Sequence, residues 1–372
     1  MKLIILISTA WLISSISAVD AKSCTVLEDL CNTTCKYQIY ITDASLPVLP
    51  SFDLCPLNVS VMRFENMDIA VVEDSSFPAG LSLINIVTST IRNISDGALS
   101  LTAPTLESIH LDNSQVPNFF NTMKDLPRLE EILLRDVAIA QWEFPENSTF
   151  ASTIKRLNLQ NNSITSWPVW VNELKTLEKL SIIQNKMNTV TENSLSNLKN
   201  VLIDLTVIAA NISAIPRDWS NLTALQRLTM VENQLTQARD VPSQLIYLNL
   251  ENNALTELNE STFPAMPAIF ELELSSNPLT TISAHAFDNM PSLGYLSFRY
   301  TLLTRVPLAV ASLTKLRGLD FQYDLQLVCT CEESPLADWF SRNPQLTIWG
   351  TCGDVTVKVF FTDLAKLCPA AP

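Results

Sequence analysis

The sequence predicts an α/β repeat: a curved, horseshoe-like solenoid with a parallel β-sheet on its concave face, an irregular or 3₁₀ convex side, and a disulfide cap at each end. Two observations carry this. One pattern, L-x-x-L-x-L-x-x-N-x-L, recurs along the chain, and the eight cysteines fall into two groups of four with none between Cys55 and Cys329. In a repeat array each unit packs only on its neighbours. The 372 residues therefore read as one array that grows by adding units.

Residues 1–21 read as a secretory signal peptide. Met1-Lys2 is a short basic start, Leu3 to Ile16 is mostly apolar, and small residues at Ser17, Ala18 and Ala21 suit cleavage after Ala18 or Ala21. Residues 22–58 form an N-terminal cysteine cap with Cys24, Cys31, Cys35 and Cys55. An even cysteine count in an exported chain implies disulfides. The spacing alone gives two bridges here without a connectivity.

Residues 59–324 hold about twelve repeats. The clearest runs Ile154-Lys-Arg-Leu157-Asn-Leu159-Gln-Asn-Asn162-Ser-Ile164, and others begin at Leu177, Leu225, Leu245 and Ile269. Weaker copies begin at Val59, Leu81, Leu106, Leu129, Leu202, Leu293 and Leu316. The alternating x-L-x-L-x core predicts a short strand with its leucines on one face. A single strand cannot bury that face, whereas stacked units can. The ninth-position asparagine turns the chain out of the strand and predicts a ladder of amide hydrogen bonds. Met67, Val137 and Ala210 replace it with groups that cannot bond, which predicts looser turns there. A further apolar column, which includes Trp142 and Trp167, predicts a second inward row behind the strands. Proline follows that row at Pro168, Pro216 and Pro307, which blocks a regular helix and predicts short 3₁₀ turns.

Residues 325–372 form the C-terminal cap: Cys329-Thr-Cys331, then Leu336-Ala-Asp-Trp339-Phe340, then Cys352 and Cys368. These repeats and this cap resemble the extracellular leucine-rich-repeat proteins. The resemblance implies a short helix carrying Trp339 and bridges Cys329–Cys352 and Cys331–Cys368. Asp324-Leu325 stands where that family has Asn-Pro.

The composition excludes several functions. A net charge of −14 argues against nucleic acid, which needs a basic surface. Six glycines leave little for nucleotide-binding loops, and two histidines, His110 and His285, leave little for triads or zinc. No catalytic motif is present, and no cofactor, metal or enzymatic activity is expected. No stretch after the leader approaches the ~18 apolar residues of a membrane span.

The exposed strand positions remain. Tyr247, Phe270, Glu273, Tyr295, Arg299, Tyr300, Arg317 and Tyr323 concentrate aromatic and arginine side chains on one rigid sheet, and these residue types dominate binding hot spots. The expected function is secreted, non-enzymatic binding of an extracellular protein or peptide through the concave face, with a glycan as a second candidate partner. Two alternatives stay open: the ectodomain of a leucine-rich-repeat receptor or receptor-like kinase cut before its membrane span, and a polysaccharide-binding matrix or wall protein. Eight N-x-S/T sequons, at Asn32, Asn58, Asn93, Asn147, Asn161, Asn211, Asn221 and Asn259, predict glycosylation.

Overall fold

The computed structural model describes residues 2–7, 16–17, 37–49, 59–137 and 148–368. These form two compact units, Met1–Ile164 with Pro168–Ser181, and Thr165–Trp167 with Ile182–Pro372. In the first unit, strands Tyr37–Thr42, Val59–Glu65, Leu83–Val87, Ser108–Asp112, Glu131–Arg135 and Arg156–Gln160 pair in parallel in chain order. Lys2–Ile7 pairs antiparallel with Tyr37–Thr42. In the second unit the parallel order is Asp204–Ile208, Arg227–Thr229, Tyr247–Asn249, Glu271–Glu273, Tyr295–Ser297, Gly318–Asp320 and Thr347–Trp349. Each unit is thus a parallel-strand solenoid.

The alternation that predicts the strands also makes the core. Met62, Ile84, Ile109, Ile132 and Leu157 form one buried column of the first unit, with Phe64, Ile86, Leu111, Leu134 and Leu159 beside it. In the second unit Leu228, Leu248, Leu272, Leu296 and Leu319 do the same. Fully burying such a side chain contributes roughly 1.5–3 kcal/mol, so the columns, repeated in every unit, hold the stack.

The asparagine ladder runs backwards along the chain. Asn253 accepts from the Leu235 N–H at 3.0 Å and donates to the Met230 carbonyl at 2.7 Å. Asn277 repeats this on Leu255 and Leu250 at 3.1 and 2.9 Å. Because the bonds reach the preceding unit, the turns at Met67, Val137 and Ala210 are not loose, contrary to the sequence expectation. All three are buried, and their N–H groups are held by Ser89 at 3.0 Å, Asn162 at 2.9 Å and Asn233 at 3.3 Å.

The eighth position of each repeat adopts left-handed backbone, from Asn66 and Thr88 through Glu232 and Asn252 to Ser276, Tyr300 and Tyr323. Asparagine and aspartate tolerate this conformation best, and they fill it at Asn66, Asn113, Asp136, Asn161 and Asn252.

Short 3₁₀ turns lie behind some of the strands. Val169–Glu173, Arg217–Asn221 and Leu308–Ser312 each follow a proline whose carbonyl accepts the first turn's hydrogen bond, at 3.0, 3.1 and 3.2 Å. A second parallel sheet, Ser45–Val48, Asp68–Val72 and Thr90–Ile94, and the pair Glu257–Leu258 and Thr281–Ile282 also lie there, and the repeat pattern does not predict them. Trp142 lies outside the described residues; Trp167 packs edge-on against Trp219, with centroids 5.8 Å apart.

At the C-terminal end, Leu336–Arg342 is the helix that carries buried Trp339, and the bridges are Cys329–Cys352 and Cys331–Cys368. Cys24, Cys31, Cys35 and Cys55 lie outside the described residues.

Candidate binding site

The open strand faces of the two units differ in how their charges are compensated. In the first, carboxylates pair across neighbouring strands: Arg135 with Asp112 at 2.6 Å, Lys155 with Glu130 at 2.8 Å, and Arg156 with Glu131 at 3.1 Å. Burial would raise Glu131, but hydrogen bonds from Arg156 and His110 outweigh it and hold the carboxyl below its ordinary value. His110 and Ser108 both contact Glu131, each at 3.4 Å.

In the second unit the register sets two rows side by side. Tyr247, Glu271, Tyr295, Gly318 and Thr347 form one; Asn249, Glu273, Ser297, Asp320 and Trp349 form the other. Alternate residues of a strand share a face, so both rows point outward. Glu251, Glu271 and Glu273 have no cation within 4 Å among the described residues. Burial pushes Glu273 up to about 7 against the opposing bond with Ser297, and the charges of Glu271, Glu251 and Asp320 add to the rise.

Aromatic rings lie along the same face. The Arg227 guanidinium sits 4.0 Å over the Tyr247 ring, and the Tyr295 and Trp349 centroids are 6.3 Å apart. The Tyr295 ring lies on Gly318, where an added Cβ would come within 2.5 Å of Cδ2. Tyr300 and Tyr323 stack at 4.5 Å and are each 53% exposed. Arg299 lies 5.4 Å from the Tyr323 ring and 3.9 Å from the Asp320 carboxylate.

The structure therefore brings together Tyr247, Glu273, Tyr295, Arg299, Tyr300 and Tyr323. It sets Phe270 and Arg317 apart, at the edge where the chain enters the strands, around a separate cleft. Sequence reasoning missed Trp349, which reaches the surface because the cap strand continues the sheet, and it missed the two glycines beneath the rings. Of the sequons, Asn93, Asn161, Asn211 and Asn221 are exposed and Asn259 is half-buried; Asn32, Asn58 and Asn147 lie outside the described residues.

Stacked parallel strands, paired buried columns, an amide ladder and a two-bridge C-terminal cap are those of a leucine-rich-repeat solenoid. The Leucine rich repeat family model matches residues 243–303 and 271–325, the stretch that carries the aromatic face. Among curated relatives, osteomodulin of Rattus norvegicus is 29% identical over 124 residues, 32% of this chain and 29% of that protein. Keratocan of Gallus gallus is 28% identical over 161 residues, 41% of this chain and 45% of that protein. The chain thus matches less than half the length of either. Among solved structures, the internalin InlF of Listeria monocytogenes shares the fold with a TM-score of 0.56 at 16% identity, covering 85% of this chain and 87% of that one. A chain from the octameric complex of Latrophilin 3, Unc5D and FLRT2 (LRR) gives 0.53 at 18% identity, covering 84% and 83%. Among the described residues no helix is long and apolar enough to cross a membrane.

Proposed function

We propose that the chain is a secreted, non-enzymatic binder that holds an extracellular protein or peptide against the open strand face of its second unit. The observation that carries this is Glu273. It is a half-buried carboxylate without a cation partner among the described residues, with Tyr247 and Tyr295 on the two neighbouring strands, on a face whose counterpart in the first unit pairs its charges internally. An uncompensated carboxylate on an aromatic face suits a partner that brings its own lysine or arginine and an apolar flank. The Latrophilin 3–Unc5D–FLRT2 assembly contains a leucine-rich-repeat chain among protein partners, which agrees with a protein ligand. Export is supported by the leader-like residues 1–21 and by the two bridges of the cap.

The test is capture of partners from extracellular fluid with the purified chain, followed by hydrogen exchange on the complex. Protection at 247–249, 271–273 and 295–297 is expected. Protection confined to the 3₁₀ side would overturn the assignment.

A further inference from the structure

We propose that the cleft beside the strand face binds a sulfated glycan chain. The cleft has a volume of about 560 Å³ and is lined by Phe270, Lys315, Arg317, Arg342, Asn343 and Gln345, with Ser and Thr hydroxyls between them. It is distinct from the surface described above and does not rest on that reading. Backbone bonds fix its position: Gly294 N–H to the Phe270 carbonyl, Arg317 to Gly294, and Thr347 to Arg317, each at 2.8 Å. The cleft thus runs along the entry edge of successive strands, where the last repeats meet the cap.

Its charge goes against the chain. The protein has 38 acidic and 24 basic residues, yet three cations and no carboxylate line this cleft. Lys315, Arg317 and Arg342 make no ion pair among the described residues, whereas Arg305 nearby in sequence pairs with both Glu332 and Glu333. Three like charges around one concavity repel one another, and a multiply charged anion relieves that repulsion. Guanidinium forks suit tetrahedral and planar oxyanions.

The uncharged lining decides which anion. Phe270 is 47% exposed, and its ring lies flat on Gly294, where an added Cβ would come within 2.3 Å of Cε2. Such a ring offers an apolar face for the C–H groups of a sugar ring. Asn343, Gln345 and the hydroxyls offer donors and acceptors to a polyhydroxylated chain. Leu316 and Leu346, also in the lining, are buried beneath.

The test uses the full chain and three fluorescent probes: a heparin-derived hexasaccharide, its desulfated counterpart and a polyglutamate peptide of equal charge. Fluorescence polarisation should show binding of the sulfated probe that weakens steeply as salt is raised, because the contacts are exposed and screened. Arg317→Gln, Lys315→Gln and Arg342→Gln should each weaken it by about tenfold, and the triple variant should abolish it. Tyr300→Ala, on the separate face, should leave it unchanged. All three cations are exposed, so the variants should melt with the wild type, which a thermal scan verifies. Preference for polyglutamate, equal binding of the desulfated probe, no binding by the wild type, or undiminished binding by the triple variant would each overturn the proposal.

Discussion

Tyr300 and Tyr323 occupy the same left-handed position in successive units, and their rings stack with planes 6° apart and centroids 4.5 Å apart. Left-handed backbone costs a β-carbon residue roughly 1–2 kcal/mol, while an aromatic stack returns roughly 0.5–1.5 kcal/mol. The two nearly cancel. Tyr300→Asn should therefore change stability by less than about 1 kcal/mol, since it relieves the backbone and loses the stack. Partner affinity should fall at least tenfold. Denaturant unfolding alongside a binding titration reads both; a large stability loss would make the stack structural.

Glu273 should make stability and binding pH-dependent in opposite senses. Its folded value of about 7 lies above the ordinary 4.5. The folded state thus keeps its proton where the unfolded chain has lost it, and the stabilisation, full below 4.5, disappears as pH rises through 7. Glu273→Gln should flatten this slope and, after allowance for solvent screening, gain about 1 kcal/mol at pH 8. A cationic partner prefers the ionised carboxylate, so wild-type binding should tighten from pH 6 to 8 and the variant's should not. Parallel pH series of melting and affinity test this.

Asp324 stands on the ladder where asparagine is usual, bonded to the Thr301 N–H and, at 2.9 Å, to its hydroxyl. Burial pushes its carboxyl up to about 6 from 3.8. The same sign holds: its stabilisation is present below 3.8 and lost as pH rises through 6. Asp324→Asn keeps the acceptor, adds a ladder donor and removes the buried charge. It should raise stability by about 1–2 kcal/mol at pH 7.5, with little change at pH 4. Equal melting temperatures at pH 7.5 would contradict this.

Gly318→Ala should act through its neighbour. The new methyl meets the Tyr295 ring, which must swing off the sheet and away from Trp349. A stability loss of about 1 kcal/mol should accompany an affinity loss close to that of Tyr295→Ala. Tyrosine-to-tryptophan energy transfer or NMR ring shifts at Trp349 would report the displacement.

Much of the fold was readable because a repeat writes each physical requirement many times. Leu248, Leu272 and Leu296 align by counting alone, as do Asn253 and Asn277. The left-handed eighth position had a readable signal too, in Asn66, Asn113, Asp136, Asn161 and Asn252. The site was only half legible. Tyr295 and Tyr300 followed from strand alternation. Trp349 did not, since its strand lies in the cap and its register with Gly318–Asp320 is a tertiary fact. The isolation of Glu273 depends on which side chains fail to reach it, and spacing does not encode that. Arg342, at the end of the cap helix, meets Lys315 and Arg317 only through the tertiary fold, so their cleft has no sequence signature.

The most direct measurement of the central claim is the affinity of the captured partner for the double variant Tyr295→Ala/Tyr300→Ala, beside Val169→Ala on the 3₁₀ side. A loss of more than about 2 kcal/mol in binding is expected for the double variant and none for the control, with both secreted at wild-type levels. Unchanged affinity of the double variant, or equal losses in the two, would contradict it.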